Sequence, residues 1–354
     1  GEADDPAPGD TAADFAVDPD AVDPDAVDPG GSDVPVDDGV DEAVLGDEGA
    51  GDAPNADAPD AEEPAGSPPD GPGPYEWSSG SKTVERGSRD IPAEVYVPRD
   101  VPGGPVPVVV FIPGFQTDSS SYRRTLERIA SHGFVVVRCD PPDPLIGVDH
   151  REMAADVSAV LDWALGAGSP AAGVADPARV AVMGHSLGGK VATMAAFADG
   201  RFGALLGLDP VNGGGPTGYA DSRPDIVPGQ VSPLAIPVGF VGETTNGSGS
   251  FLAPACAPTD QNFQTFFDAA TGAPWAAEWD FAGADHLDFV DVEGCNLTCR
   301  LACSQGSADP EAVLAGTRTL AVAFLRRHLG GESSMDAWLV GASLPAGVTV
   351  RTRP

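Results

Sequence analysis

The sequence predicts an α/β fold, a mainly parallel central sheet with helices on both faces, preceded by a disordered acidic tail. Three observations carry this. Apolar, β-branched runs alternate with helical periodicity from residue 108 to residue 328, the pattern of parallel strands joined by crossover helices. Val108–Ile112 is apolar at every position between Pro107 and Pro113, as suits a strand covered on both sides. Val180-Ala181-Val182-Met183 runs through Gly184-His185-Ser186-Leu187-Gly188 directly into the helix-forming Val191–Ala196, so a strand turns sharply into a helix.

The tail comes first. Residues 1–74 hold 23 of the 54 acidic residues and no Lys or Arg, so about two thirds of the net charge of −35 sits in the first fifth of the chain. Ala16–Pro29 repeats Ala-Val-Asp-Pro-Asp. Few large apolar residues are available to bury, so a self-repelling, disordered tether is expected. The aspartates lack the glycine and bidentate glutamate of an EF-hand loop, so no calcium is expected there. The acidic balance excludes nucleic-acid partners and docking on an anionic membrane. No apolar run of about 18 residues marks a transmembrane segment. An exported or surface-tethered protein of bacterial type, its signal peptide removed, is the expected setting.

The folded part is expected over 75–332, with a short extension at 333–354. Thr83–Arg86 and Ile91–Val97 read as antiparallel strands around a turn at Ser88–Asp90. Ser119–Ser131 reads as a helix capped by Ser119, Ser120 or Ser121 and ended by His132-Gly133. Phe134–Arg138 is the next strand. Glu152–Leu165 is an amphipathic helix with Met153, Val157, Val160, Leu161 and Leu165 on one face. Further strands are expected at Ala204–Leu208, Pro237–Val241 and Ala277–Phe281, a closing helix at Ala312–His328, and an added strand around Val348–Thr352. The long segments Asn212–Pro233 and Thr244–Gln264, rich in Gly and Pro, are expected to border the site.

Cys139 ends an apolar strand and reads as a buried free thiol. Cys256, Cys295, Cys299 and Cys303 form an even set in loop-like sequence without histidines at metal-ligand spacing, which points to two disulfides with three possible pairings.

The chemistry centres on Gly184-His185-Ser186-Leu187-Gly188, which resembles the nucleophile elbow of α/β-hydrolases. A serine hydroxyl is a weak nucleophile near neutral pH; it needs a histidine to take its proton and a carboxylate to hold that histidine. In this arrangement the acid and then the histidine follow the serine along the chain. His286, in Gly283-Ala284-Asp285-His286-Leu287 after the last strand of the 204–281 series, is the expected base. His328 reads as a solvated position on the closing helix, and His185 as packing beside the elbow. His132 and His150 precede the serine and receive no role. Asp209, at the carboxyl end of Ala204–Leu208, is the expected acid, with Glu243 one strand later as the alternative. Asp285 and Asp288 lie too close to His286 in sequence. The oxyanion hole is assigned to the N–H groups of Leu187 and Phe115.

Several blocks together resemble chlorophyllases: Gly184-His185-Ser186 with Gly188-Gly189-Lys190, Leu208-Asp209-Pro210-Val211-Asn212-Gly213, Ala255-Cys256-Ala257-Pro258 with Phe266-Phe267, and His286-Leu287-Asp288-Phe289-Val290-Asp291. Pro113-Gly114-Phe115 through Ala130–Val136 is similar to bacterial cutinases and polyester hydrolases. The resemblance spans Ile91 to Gly330. It implies Asp209 as the acid, as in chlorophyllases and, at similar spacing, phospholipase-type acetylhydrolases. The polyester hydrolases place the acid one strand later, where this chain has Glu243 and two threonines. Plant chlorophyllases usually carry Arg after the nucleophile, where this chain has Leu187.

The resulting expectation is a monomeric serine carboxylesterase acting on small-molecule or polymeric apolar esters, with no metal and no organic cofactor. A non-catalytic binding module on the same fold would be marked by loss of Ser186 or His286, and both are present.

Overall fold

The computed structural model describes residues 67–142, 144, 147–215, 218–249, 255–291 and 303–354. The expected tether over residues 1–66, and with it the repeat, lies outside the described residues, as do Cys295 and Cys299. Residues 67–74 of the acidic segment hydrogen-bond to the helical layer: Arg326 donates to the Ser67 carbonyl, Arg128 to that of Asp70, and Gly73 N–H to Ser131 Oγ.

One nine-stranded sheet organises the chain. In sequence order the strands are β1 (Trp77–Arg86), β2 (Arg89–Pro98), β3 (Val106–Ile112), β4 (Val135–Cys139), β5 (Ala175–His185), β6 (Phe202–Leu208), β7 (Val238–Gly242), β8 (Ala276–Phe281) and β9 (Val348–Arg353). In space they run β1-β2-β4-β3-β5-β6-β7-β8-β9. The six from β4 to β8 are parallel, and β1, β2 and β9 are the antiparallel margin. The expected parallel sheet is therefore present, and the added strand predicted near Val348 closes its far edge.

Two apolar clusters lie on opposite faces, and alternation along β3 separates them. Val108, Val110 and Ile112 join one cluster; Val109 and Phe111 join the other, the two-residue period of a strand buried on both sides. The first cluster is covered by α2 (His150–Leu165), α3 (Leu187–Ala198) and α4 (Phe263–Ala269), and the second by α1 (Arg123–Ser131) and α5 (Pro310–His328). A last short helix, α6 (Asp336–Leu339), adds Leu339 to the second cluster. The β1–β2 hairpin is tied to α2 by Arg86 and Arg89, which both donate to the buried Asp156 carboxylate.

Local signals set most boundaries. Asp149 caps α2 by accepting from Arg151 and Glu152 N–H, and Asp309 caps α5 ahead of Pro310, as carboxylates and N1 prolines commonly do. Two expectations need correction. The helix at 119–131 begins as a 3₁₀ turn over Ser119–Tyr122, and its cap is Asp118, which accepts from Ser120 N–H; Ser119 is instead drawn inward, its N–H and hydroxyl both donating to Asp140. His328 is not a solvated residue. Its ring packs 4.5 Å from Trp275 and 4.7 Å from Phe324, and that burial lowers its pKa to about 4. The helix α4, inside what reads as a loop-rich insertion, is an element the sequence reading missed. Among the described residues, no helix is long and apolar enough to cross a membrane.

Candidate active site

The site forms at the carboxyl ends of the central strands, starting with Ser186. This residue has φ 53° and ψ −121°, a backbone conformation unfavourable for any residue with a Cβ. The turn is tight because the chain reverses from β5 into α3 within one residue. A Cβ at Gly184 would lie 2.3 Å from the Gly188 carbonyl oxygen, and one at Gly188 would lie 2.3 Å from those of Ile112 and Pro113. The neighbouring strand braces the turn: Ser186 N–H donates to the Leu208 carbonyl at 3.0 Å, and Val211 N–H donates to that of Ser186 at 3.1 Å. Four described non-glycine residues have positive φ, and three of them, Gln116, Ser186 and Asp209, lie at this site, where strain is most often retained.

The structure brings the three predicted site residues into hydrogen-bonded series. His286 Nε2 lies 2.9 Å from Ser186 Oγ, and His286 Nδ1 lies 2.6 Å from Asp209 Oδ2. The Asp209 side chain is fully buried and His286 nearly so. Asp209 stands where β6 ends, its N–H donating to the Val241 carbonyl. Glu243, the alternative acid, sits one strand over, and the ring nitrogens of His286 go to Asp209 and Ser186 instead. Glu243 Oε2 accepts from Asn246 N–H at 2.8 Å, and burial together with the neighbouring Asp209 charge raises its pKa to about 9.

His286 is held by residues that the sequence reading did not single out. Its N–H donates to Asn246 Oδ1 at 2.8 Å, while Asn246 Nδ2 donates to the Ser304 carbonyl. Asn246 is thus a buried knot joining the segment after β7 to both sides of the loop after β8. Asp285 and Asp288 shape that loop instead of acting on His286: Asp285 accepts from Leu287 and Gly306 N–H, and Asp288 from Asp285 N–H. The disulfide expected in this region joins Cys256 to Cys303, linking the same two segments. Cys139 is a buried free thiol, as expected.

A second chain of hydrogen bonds runs beneath the elbow. Gly114 N–H donates to Tyr122 Oη, Tyr122 Oη lies 2.7 Å from His185 Nδ1, and His185 Nε2 lies 3.0 Å from the His286 carbonyl. Burial and the adjacent His286 push the His185 pKa far down, so it is neutral. A single tautomer satisfies the chain: Tyr122 donates to Nδ1, and Nε2–H donates to the carbonyl. His185 packs beside the elbow, as expected, and it also ties the Gly114 loop to the His286 loop.

Above Ser186 opens a cavity of about 600 Å³ lined mostly by apolar groups, among them Phe115, Leu187, Val148, Val211 and Leu287, with the Cys256–Cys303 disulfide in its wall. Phe115 and Leu187, the two residues predicted to supply oxyanion N–H groups, therefore face the same space as Ser186. Gly213 and Gly215 from the first long insertion and Cys256 from the second line the cavity, as expected. One polar atom from each of Asp209, Glu243 and His286 falls within 4.8 Å of the others. His286 Nδ1 is engaged with Asp209 Oδ2 within this cluster.

Comparison with known proteins identifies the family. The chlorophyllase family model matches residues 72–345. Chlorophyllase-1 of Arabidopsis thaliana is 30% identical over 275 residues, covering 71% of this chain and 81% of the relative. Chlorophyllase-1, chloroplastic, of Citrus unshiu is 30% identical over 64% of this chain and 69% of its own length. Cutinase est1 of Thermobifida alba is 40% identical over a shorter stretch of 96 residues, 27% of this chain and 31% of the cutinase. The chain belongs to the chlorophyllase family.

Proposed function

We propose that this member of the chlorophyllase family is a serine ester hydrolase that works through an acyl-enzyme on Ser186. The observation that carries the reading is the hydrogen-bonded series Ser186–His286–Asp209, 2.9 and 2.6 Å long, at the floor of an apolar cavity. His286 Nε2 takes the Ser186 proton as Oγ attacks the ester carbonyl. His286 then gives that proton to the departing alcohol oxygen, and finally activates the water that releases the acid. Asp209 accepts from His286 Nδ1–H, fixes the tautomer, and stabilises the imidazolium as it forms. The Leu187 and Phe115 N–H groups bind the oxyanion, helped by the positive end of α3. Neither a metal nor an organic cofactor enters any of these steps.

The substrate is an apolar ester. The chlorophyllase relatives favour a large chlorophyll-type ester, and the cutinase match favours a polyester as the second reading. The apolar lining suits either one, and a phospholipid-type acetyl ester ranks third. Asp209 is preferred to Glu243 as the acid because Asp209 meets His286 Nδ1, whereas Glu243 is turned to Asn246. An extracytoplasmic setting is part of the proposal and is supported by the Cys256–Cys303 disulfide, a bond typical of oxidising compartments.

A pre-steady-state burst assay with a chromogenic short-chain ester tests the reading. A burst in the wild type, absent in Ser186→Ala and strongly slowed in Asp209→Asn, is the expected result. No turnover and no labelling of Ser186 by an organophosphate would remove the reading in favour of a binding module.

A further inference from the structure

We propose that Glu243 carries a proton and donates it in a hydrogen bond to Asp209 Oδ1, so that Ser186, His286, Asp209 and Glu243 form one series in which Glu243 positions the orienting carboxylate. The proposal rests on the assignment of Ser186, His286 and Asp209 above.

The geometry begins with neighbouring strands. β6 and β7 pair in parallel register through Leu208 and Val241, which carries Asp209 and Glu243 to the same end of the sheet. Both side chains are fully buried, and polar atoms of the two lie within 4.8 Å. Each carboxyl group uses one oxygen: Asp209 Oδ2 faces His286, and Glu243 Oε2 accepts from Asn246 N–H. The other oxygen of each, Asp209 Oδ1 and Glu243 Oε1, is buried without a hydrogen-bond partner.

Two adjacent buried carboxylates do not both keep a negative charge, because each loses its hydration and repels the other. Apart from His286 on Asp209, no cation among the described residues is paired with them. Asp280 on β8 and Asp285 in the loop after β8 add further negative charge. Among the described residues, no Lys or Arg forms an ion pair with Asp209, Glu243 or Asp280. The Phe263 ring of α4 presses on the same spot. A Cβ at Gly242 would meet that ring at 2.2 Å and Asp209 Oδ1 at 2.8 Å, so the space beside Oδ1 is apolar.

The choice of which group holds the proton follows. Asp209 Oδ2 is already committed as the acceptor of His286 Nδ1. Glu243 is the group that burial and the Asp209 charge move up to about 9. With Oε2 occupied as an acceptor, its proton sits on Oε1 and points to Asp209 Oδ1. One hydrogen bond then satisfies both leftover oxygens and fixes the carboxylate plane that aims Oδ2 at His286. No proton leaves Glu243 during turnover; its role is to position.

Infrared spectroscopy of the full chain tests the proton directly. The carbonyl stretch of a protonated carboxyl is expected at pH 7, lost as pH passes about 9, and absent in Glu243→Gln. On the kinetic side, Glu243→Leu is expected to lower kcat about tenfold with little change in KM, as suits loss of one buried hydrogen bond to the orienting acid. Glu243→Gln restores most of that rate, to within about threefold of wild type, because its amide still donates to Oδ1 while its carbonyl accepts from Asn246. The same variant loses the alkaline fall in kcat that the wild type shows near pH 9. The proposal is overturned if the Glu243-dependent band is missing at pH 7, or if Glu243→Gln is as damaging as Asp209→Asn. Ser186→Ala separates the two readings. It is expected to keep the band while losing turnover, so an active Ser186→Ala would remove the assigned nucleophile while the band still reported on Glu243.

Discussion

Ser186 and His286 meet at 2.9 Å, yet the two sides of that contact are built in opposite ways. The serine side is local. Gly184, Ser186 and Gly188 lie within five residues, and sterics at those residues hold Ser186 at φ 53°. The histidine side is assembled from distant parts. His286 N–H reaches Asn246, 40 residues away, and His286 Nδ1 reaches Asp209, 77 residues away. A side built by backbone crowding should fail by unfolding, whereas a side built from a hydrogen-bond network should fail first in rate.

The largest expected effects fall on the contact itself. Ser186→Ala and Asp209→Asn should each lower kcat/KM by about 10⁴-fold or more with the fold retained, measured on a chromogenic ester beside circular dichroism. Comparable losses from both sides would mean that the local and the assembled half act as one unit. A mild Asp209→Asn would break the comparison at its assembled half.

Gly188→Ala probes the local half. Its new Cβ would sit 2.3 Å from two carbonyl oxygens that belong to backbone and have little room to retreat. Destabilisation of about 3 kcal/mol or more is expected in denaturant titration. A variant of native stability would show that the elbow relaxes more readily than its packing implies.

Asn246→Ala probes the assembled half. It removes the acceptor of His286 N–H and the donor to the Ser304 carbonyl. A loss of about 1–3 kcal/mol in transition-state stabilisation is expected, read mainly in kcat, with thermal stability falling less than in Gly188→Ala. If stability falls and kcat does not, Asn246 serves the fold and not the position of His286.

pH separates the halves more gently. The Glu243 pKa lies near 9 in the folded chain, against an ordinary 4.5. A raised value means the folded state binds the proton more tightly than the unfolded one. Its contribution is therefore full below about 4.5 and is lost as pH rises towards 9. Glu243→Gln should flatten that part of the stability profile between pH 5 and 9 in thermal melts, and an unchanged slope would contradict it.

The smallest effect is expected from the acidic segment. Removing residues 1–66 should leave kcat/KM for a neutral ester unchanged, since among the described residues Ser67 already ties the acidic segment to the helical layer through Arg326. A cut at 74 should cost some stability, because it also removes the Asp70 and Gly73 contacts to Arg128 and Ser131. Equal melting temperatures for the two truncations would make those contacts idle.

The legibility of the sequence follows the same division. Val108–Ile112, the Gly184–Gly188 turn and the bodies of α2 and α5 were readable because their causes lie within a few residues: continuous apolarity, absent Cβ atoms, an apolar helical face. The aspartate caps at Asp149 and Asp309, which start both helices two residues earlier than expected, were not singled out. The segment at 119–131 shows the limit. Three serines stood beside Asp118, and the capping group was fixed by Asp140, across the structure, which draws Ser119 inward. Tyr122, Asn246 and α4 carried no local mark of their place in the site. His328 misled for the same reason, since basic neighbours in sequence gave no sign of Trp275 above its ring.

By itself the sequence determined the sheet class, the serine at its elbow and the short list of partners, two carboxylates and one histidine. The tertiary structure decided among that list. It set Asp209 against His286 and turned Glu243 to Asn246, and it closed Cys256 with Cys303 among four candidates. Hydrogen-bond partnership depends on distance and direction between side chains far apart along the chain, and those are fixed only when β6, β7 and β8 are laid in register.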